Sequence, residues 1–158
     1  DMLVNLYRIP DFVEPVGVRI ARMLPPDQKS VLQMVQETFG NGWAGECIPA
    51  LSAQPSTCYV AQKDGKIIGF ACYDATAKGY FGPIGVLSEE RKGGIGRALL
   101  LAALHGMREA GYGYAVIGWC DDARAFYERV CGASEIPGSE PEHTIYGRMV
   151  RFTRYPRN

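Results

Sequence analysis

The order of apolar patterns along the chain predicts a mixed α/β (α+β) domain with an antiparallel hairpin and a parallel strand pair joined by a helix. Three observations carry this. Two β-rich runs, TCYVAQ and KIIGFACYD, are separated by Lys63, Asp64 and Gly65, and Asp-Gly between such runs signals an antiparallel hairpin. Farther on, the strand-like GYFGPIGVL, the glycine-rich RKGGIG, a long helical stripe and the apolar run YAVIGW follow one another. That is the order of a right-handed βαβ unit with parallel strands. Finally, helical spacing recurs between the strand-like runs, as expected of a sheet with covered faces.

Taken in order, the first fifteen residues carry no clear period and are read as an N-terminal extension. Alternation at Val16, Val18 and Ile20 marks a strand, which Pro25, Pro26 and Asp27 stop while opening a helix. That helix places Val31, Leu32, Val35 and Phe39 on one face. Gly40 and Gly42 break it, and WAGECIPALSA reads as a short helix or turn interrupted at Pro49. After the hairpin, the strand at residues 79–87 contains Gly79, Gly82, Pro83 and Gly85. These weaken an ordinary strand interior and mark one that is bulged or held open for a ligand. The next helix carries Ile95, Leu99, Ala102 and Gly106 in one stripe and ends by Gly111. Residues 114–119 then form a buried strand, Asp121 and Asp122 are expected to cap the helix ARAFYERV, and Gly132 ends it. SEIPG and TIYGRMVRF are expected as closing strands.

A chain of 158 residues, 47% hydrophobic and 22% charged, has the size and composition of a single domain over residues 1–158. Its 17 Lys and Arg balance 17 Asp and Glu, so it has no broad basic field for nucleic acid. No run of about 18 apolar residues is present, which argues against a membrane span. The five cysteines, odd in number and without a C-x-x-C pair, fit a reducing, cytoplasmic setting better than a disulfide scaffold. Two histidines without ligand spacing give no metal site.

The chemistry concentrates in RKGGIGRALLLAAL, residues 91–104. Ordinary helix starts present a Ser, Thr, Asp or Asn cap and acidic residues to the unpaired N–H groups. Here Gly93 and Gly94 stand in the cap's place, and Arg91, Lys92 and Arg97 add positive charge to the positive end of the dipole. A bound phosphate reverses both penalties. The P-loop and dinucleotide fingerprints are absent, because the third glycine of the latter would fall at Leu99. What remains is Arg91-x-x-Gly94-x-Gly96 after a glycine-broken strand and at the head of a helix.

That pattern resembles the acetyl-CoA site of the GCN5-related N-acetyltransferases. FGPIGVLSEER resembles the family's fourth strand, and ARAFYERVCGA resembles its later A-x-x-F-Y-E segment. The resemblance extends from about Val18 to Phe152. Lys92 stands where the family commonly has Gly, and Cys120 where many members have Asn. The resemblance implies one domain whose twisted, mostly antiparallel sheet, flanked by helices, splays at its parallel fourth and fifth strands to admit acetyl-CoA. It places the diphosphate on the N–H groups of Lys92, Gly93, Gly94, Ile95, Gly96 and Arg97, with Arg91 flanking. The pantetheine arm would lie beside Ile84, Gly85 and Val86, with Cys120 bordering it.

The implied reaction is direct acetyl transfer to a primary amine in a ternary complex. An alkylammonium with a pKa of about 10.4 must lose a proton before it attacks. A backbone N–H near residues 84–86 would stabilise the oxyanion, a contribution of roughly 3 to 4 kcal/mol. Tyr127 matches the family's proton donor to the departing thiolate. Its alternative is a core tyrosine sharing a face with Ala123, Phe126 and Val130. Glu46, beside Trp43, borders the acceptor pocket and would pair with an ammonium or act as base; its alternative is a surface carboxylate. The acceptor is a small-molecule or peptide amine, and a homodimer is expected by analogy. The rival function is a non-catalytic acyl-CoA-binding or sensing module.

Overall fold

Asp64 and Gly65 both take positive φ, 51° and 73°, as a two-residue hairpin turn requires. They join β3 (Cys58–Lys63) to β4 (Lys66–Tyr73) in the computed structural model, which describes residues 1–150. This hairpin is the middle of one half of a seven-stranded sheet. The other strands are β1 (Met2–Asn5), β2 (Arg19–Arg22), β5 (Tyr80–Val86), β6 (Tyr114–Ile117) and β7 (Ser134–Glu135). Their order is β2-β3-β4-β5-β6-β1-β7, and every neighbouring pair is antiparallel except β5 and β6.

The parallel pair positions the site. β5 and β6 meet only at Tyr80↔Val116 and Phe81↔Ile117 and then diverge. β5 is also bulged, as its glycines and proline suggest: Tyr73 lies opposite Phe81 but Ala71 lies opposite Ile84, so β5 carries one extra residue. That residue reverses the alternation of faces. Phe81, Ile84 and Val86 consequently all pack into one core, while Gly85 turns to the other. A Cβ on Gly85 would sit 2.5 Å from the Phe39 ring, so this glycine is required by packing.

Helices α1 (Gln28–Phe39) and α2 (Asn41–Ser52) bury Val31, Val35, Ala44, Cys47, Ala50 and Leu51 with Phe70 on one face of the sheet. On the other, α3 (Ile95–Glu109) and α4 (Arg124–Cys131) pack Leu99, Leu100, Leu104, Tyr127 and Val130 against the sheet. α2 runs unbroken through Pro49. The exposed proline forfeits one hydrogen bond to the Gly45 carbonyl, and the buried stripe on the opposite side holds the helix.

Several expectations are corrected. The first fifteen residues include a strand: β1 lies between β6 and β7 with Met2 and Val4 fully buried, its period too short to read from four residues. Val16 is exposed and outside β2, which begins at Arg19. Asp121 and Asp122 do not cap α4, whose start has no side-chain cap. They lie in a preceding 3-10 turn, where Asp121 accepts from Trp119 Nε1 at 2.9 Å. SEIPG supplies only the two residues of β7, and TIYGRMVRF forms a 3-10 turn at Ile145–Arg148 instead of a strand. Its residues 151–152 lie outside the described residues. The physical reason is occupancy: β1 already fills the sheet position beside β6.

All five cysteines are free and buried. Burial pushes the Cys131 thiol up to about 11, and hydrogen bonding to Cys47 and Cys58, with burial, holds Cys72 well above the usual range. Thiols that stay protonated react slowly. In native protein at pH 8, Ellman's reagent should therefore label none of the five within minutes and all five after denaturant is added. Rapid labelling of a native thiol would contradict this burial.

Candidate active site

The site grows from the head of α3. Gly94 precedes the helix with φ 79° and ψ 6°, and no side chain caps it. The first helical hydrogen bond runs from Ala98 N–H to Gly94 O at 3.1 Å. The N–H groups of residues 92–97 therefore have no protein acceptor among the described residues. Lys92 also takes positive φ, 71°, so the chain turns sharply just ahead of the helix. Lys92 and Arg97 are exposed, whereas Arg91 donates from Nε to Val86 O at 3.2 Å and ties the loop to the end of β5. Lys63 Nζ holds the Glu90 carboxylate at 3.0 Å. Amides and two cations that lack protein partners among the described residues, together with open glycines, fit a diphosphate.

From this loop the edge of β5 leads to the fork. Ile84, Gly85 and Val86 pair with Ala71, Phe70 and Gly69 of β4 on one edge, and on the other β6 has already departed. Cys120 sits past the end of β6, buried, its thiol donating to Ile117 O at 3.1 Å.

At the fork the two candidate catalytic residues flank opposite faces of the sheet. Tyr127 of α4 is 7% exposed, and its ring meets Phe81 edge-on at 6.3 Å. On the α2 side, Glu46 Oε1 accepts hydrogen bonds from Thr76 Oγ1 and from Tyr146 OH, the latter at 3.0 Å. The Tyr146 ring lies over Gly118, where a Cβ would be 2.7 Å away, and meets Trp119 edge-on at 5.3 Å. Burial, and next the charge of Glu46, raise the Tyr146 pKa far above the ordinary tyrosine value, so this hydroxyl is a donor.

Glu46 and Tyr127 were singled out in the sequence, whereas Thr76 and Tyr146, the partners of Glu46, were not. Thr76 stands in a loop without pattern, and Tyr146 fell inside an expected strand. Near Thr76 in the chain, Asp74 accepts from Tyr112 OH at 2.9 Å and, through Oδ1, from Gly79 N–H at 2.8 Å. Among the described residues no group of three His, Cys, Asp or Glu is placed to hold a metal ion, and no helix is long and apolar enough to cross a membrane.

Comparison with known families matches residues 28–133 to the acetyltransferase (GNAT) family, and the chain belongs to it. Solved structures of similar fold include a GCN5-related N-acetyltransferase from Sphaerobacter thermophilus, with TM-score 0.67, 23% identity, and coverage of 84% of this chain and 46% of that one. This chain thus spans about half the length of that relative. A GNAT family acetyltransferase from Brucella melitensis, solved with acetyl-CoA, has TM-score 0.55, 23% identity and coverage of 78% and 93%. A GNAT family N-acetyltransferase from Escherichia coli, solved with CoA, has TM-score 0.56, 21% identity and coverage of 78% and 71%. At these identities the likeness establishes the fold. A comparison with curated protein sequences gave no match.

The cradle is tested by supplying the missing cap. In Gly94→Asp the added carboxylate contributes about 1 kcal/mol as a cap and costs about 1 to 2 kcal/mol in the left-handed conformation. The melting temperature should shift only a few degrees, while stabilisation by inorganic pyrophosphate, expected for the wild type, should vanish. Equal stabilisation of both proteins would place the anion elsewhere.

Proposed function

We propose that the chain is an acetyl-CoA-dependent N-acetyltransferase that passes the acetyl group to a primary amine within a ternary complex. One observation carries this reading: an uncapped amide cradle, an unpaired strand edge, and a carboxylate and a tyrosine on opposite faces converge on one fork. The Brucella and Escherichia coli relatives, solved with acetyl-CoA and CoA, support the choice of ligand. Acetyl-CoA would supply the acetyl group as an activated thioester.

The chain's own groups do the rest. The amides of residues 92–97 hold the diphosphate with Lys92 and Arg97. The free edge of β5 receives the pantetheine arm as an added strand would be received, with Ile84 and Val86 offering backbone groups and Gly85 between them pairing with β4. Glu46 holds the acceptor ammonium and takes its proton, directly or through water. Tyr127 hands a proton to the departing sulfur. Each proton transfer of this kind contributes on the order of 10² to 10⁴ in rate. The burial of Tyr127 favours one second reading, a non-catalytic acyl-CoA-binding or sensing module in which that tyrosine is structural.

The two readings separate experimentally. Acetyl-CoA should raise the melting temperature, and a panel of amines should include acceptors that release free thiol. Tyr127→Phe should lower kcat on the order of 100-fold with acetyl-CoA affinity unchanged within about twofold. Binding without thiol release across the panel would establish the sensing module, and wild-type turnover by Tyr127→Phe would remove the tyrosine from the proton path.

A further inference from the structure

Glu46 is half-buried and has no cationic partner among the described residues. Two hydroxyls, from Thr76 and Tyr146, both donate to Oε1, while Oε2 has no protein donor among the described residues. The second oxygen of a half-buried carboxylate that lacks a protein donor is left to water or to a cation that displaces it. The Tyr146 ring that reaches Glu46 is itself flanked by Trp119, 5.3 Å away between centroids, and lies over Gly118, where a Cβ would also come within 3.3 Å of a Tyr80 edge carbon. A carboxylate oxygen left open beside aromatic rings is the chemistry of an alkylammonium site.

We propose that Tyr146 is the specificity-determining residue of this acceptor site, admitting small primary ammonium ions and excluding polypeptide amines. The proposal rests on the acetyltransferase reading for its reaction and goes beyond it in naming the acceptor class. Tyr146 lies 100 positions from Glu46 in the chain, and its hydroxyl joins the C-terminal segment to α2 beside the mouth of the fork. That segment is folded into two short turns, Pro141–His143 and Ile145–Arg148. The second turn is closed by Gly147 N–H on Thr144 O at 3.1 Å and by Tyr146 N–H on Thr144 Oγ1 at 3.3 Å. Gly147 is itself required there, because a Cβ would sit 2.7 Å from Glu142 O.

The consequence is steric and electrostatic at once. A polypeptide acceptor would have to run across the fork, where the Tyr146 ring already fills the space over the Gly118 backbone. Admitting it means breaking the Glu46 hydrogen bond and the Trp119 contact together. A small ammonium reaches Oε2 with both intact. Tyr146 and Thr76 also keep Oε1 occupied, so the open oxygen is the one an entering cation meets.

Calorimetric titration tests this with two probes, n-butylammonium and a terminally blocked pentapeptide containing one lysine. Each is titrated into the free protein and into its coenzyme A complex. The wild type should bind n-butylammonium at least tenfold more tightly than the peptide. Tyr146→Ala should bring the two affinities within about twofold by opening the mouth. Tyr146→Phe keeps the ring and should keep the discrimination at tenfold or more, because the lost hydroxyl served Oε1 and the ammonium meets Oε2. Coenzyme A affinity should be unchanged in both variants. The proposal is overturned if the wild type binds the peptide as tightly as n-butylammonium or binds neither. It is equally overturned if folded Tyr146→Ala retains the full ratio. Should Tyr146→Ala unfold, the wild-type ratio and Tyr146→Phe decide: loss of discrimination in Tyr146→Phe overturns the proposal. Failure of the wild type to bind coenzyme A strikes the acetyltransferase reading instead, since the probe ratio is measured on free protein as well.

Discussion

Hydrogen-bonding groups of a backbone must be met by something, and the divergence of β5 from β6 leaves a set of them unmet. The two strands pair at two positions, after which β5 continues alone on that edge. The unpaired edge ends at Val86, and a 3-10 turn at Ser88–Glu90 carries the chain to the turn at Lys92 and Gly94 and the uncapped start of α3. Available donors and acceptors therefore lie in two places along one path, at the fork and at the helix start. Water satisfies such groups when nothing else does, but a ligand carrying an amide-bearing arm and a diphosphate matches both places.

The path holds its shape because both faces of the sheet are braced against it. Phe39 of α1 lies so close to Gly85 that no side chain fits there, and Phe81 on the opposite face meets Tyr127. The bulge lets Phe81 and Ile84 face the same core although three positions separate them. Arg91 fastens the loop to Val86, and Lys63 fastens Glu90 to the hairpin. Glu46 on α2 and Tyr127 on α4 come from opposite layers of the molecule.

How much of this was legible in the sequence depended on whether the signal was local. The Asp64-Gly65 turn, the glycine-broken β5 and the cap-less α3 each announce themselves within a few residues, and the fold class and the cradle follow from them. β1 was not legible because four residues carry too little period, and because only tertiary structure places it beside β6. Within the expected closing strand at residues 144–152, Ile145–Arg148 form a short 3-10 turn. Tyr146 was missed because its partner Glu46 is distant in sequence, and no spacing rule connects a tyrosine near the end of a chain to a helix near its beginning. Cys120 was expected beside the cofactor arm, and its thiol is engaged by the last carbonyl of β6.

The central claim is that the unpaired amides of residues 92–97 and the free edge of β5 are complementary to one molecule. A crystal structure of the protein grown with saturating acetyl-CoA tests it most directly. The expected result is diphosphate oxygens within hydrogen-bonding distance of those amides, with the pantetheine arm lying along residues 84–86. Density for the cofactor at any other surface, with the amides of the α3 start meeting only solvent, would contradict it.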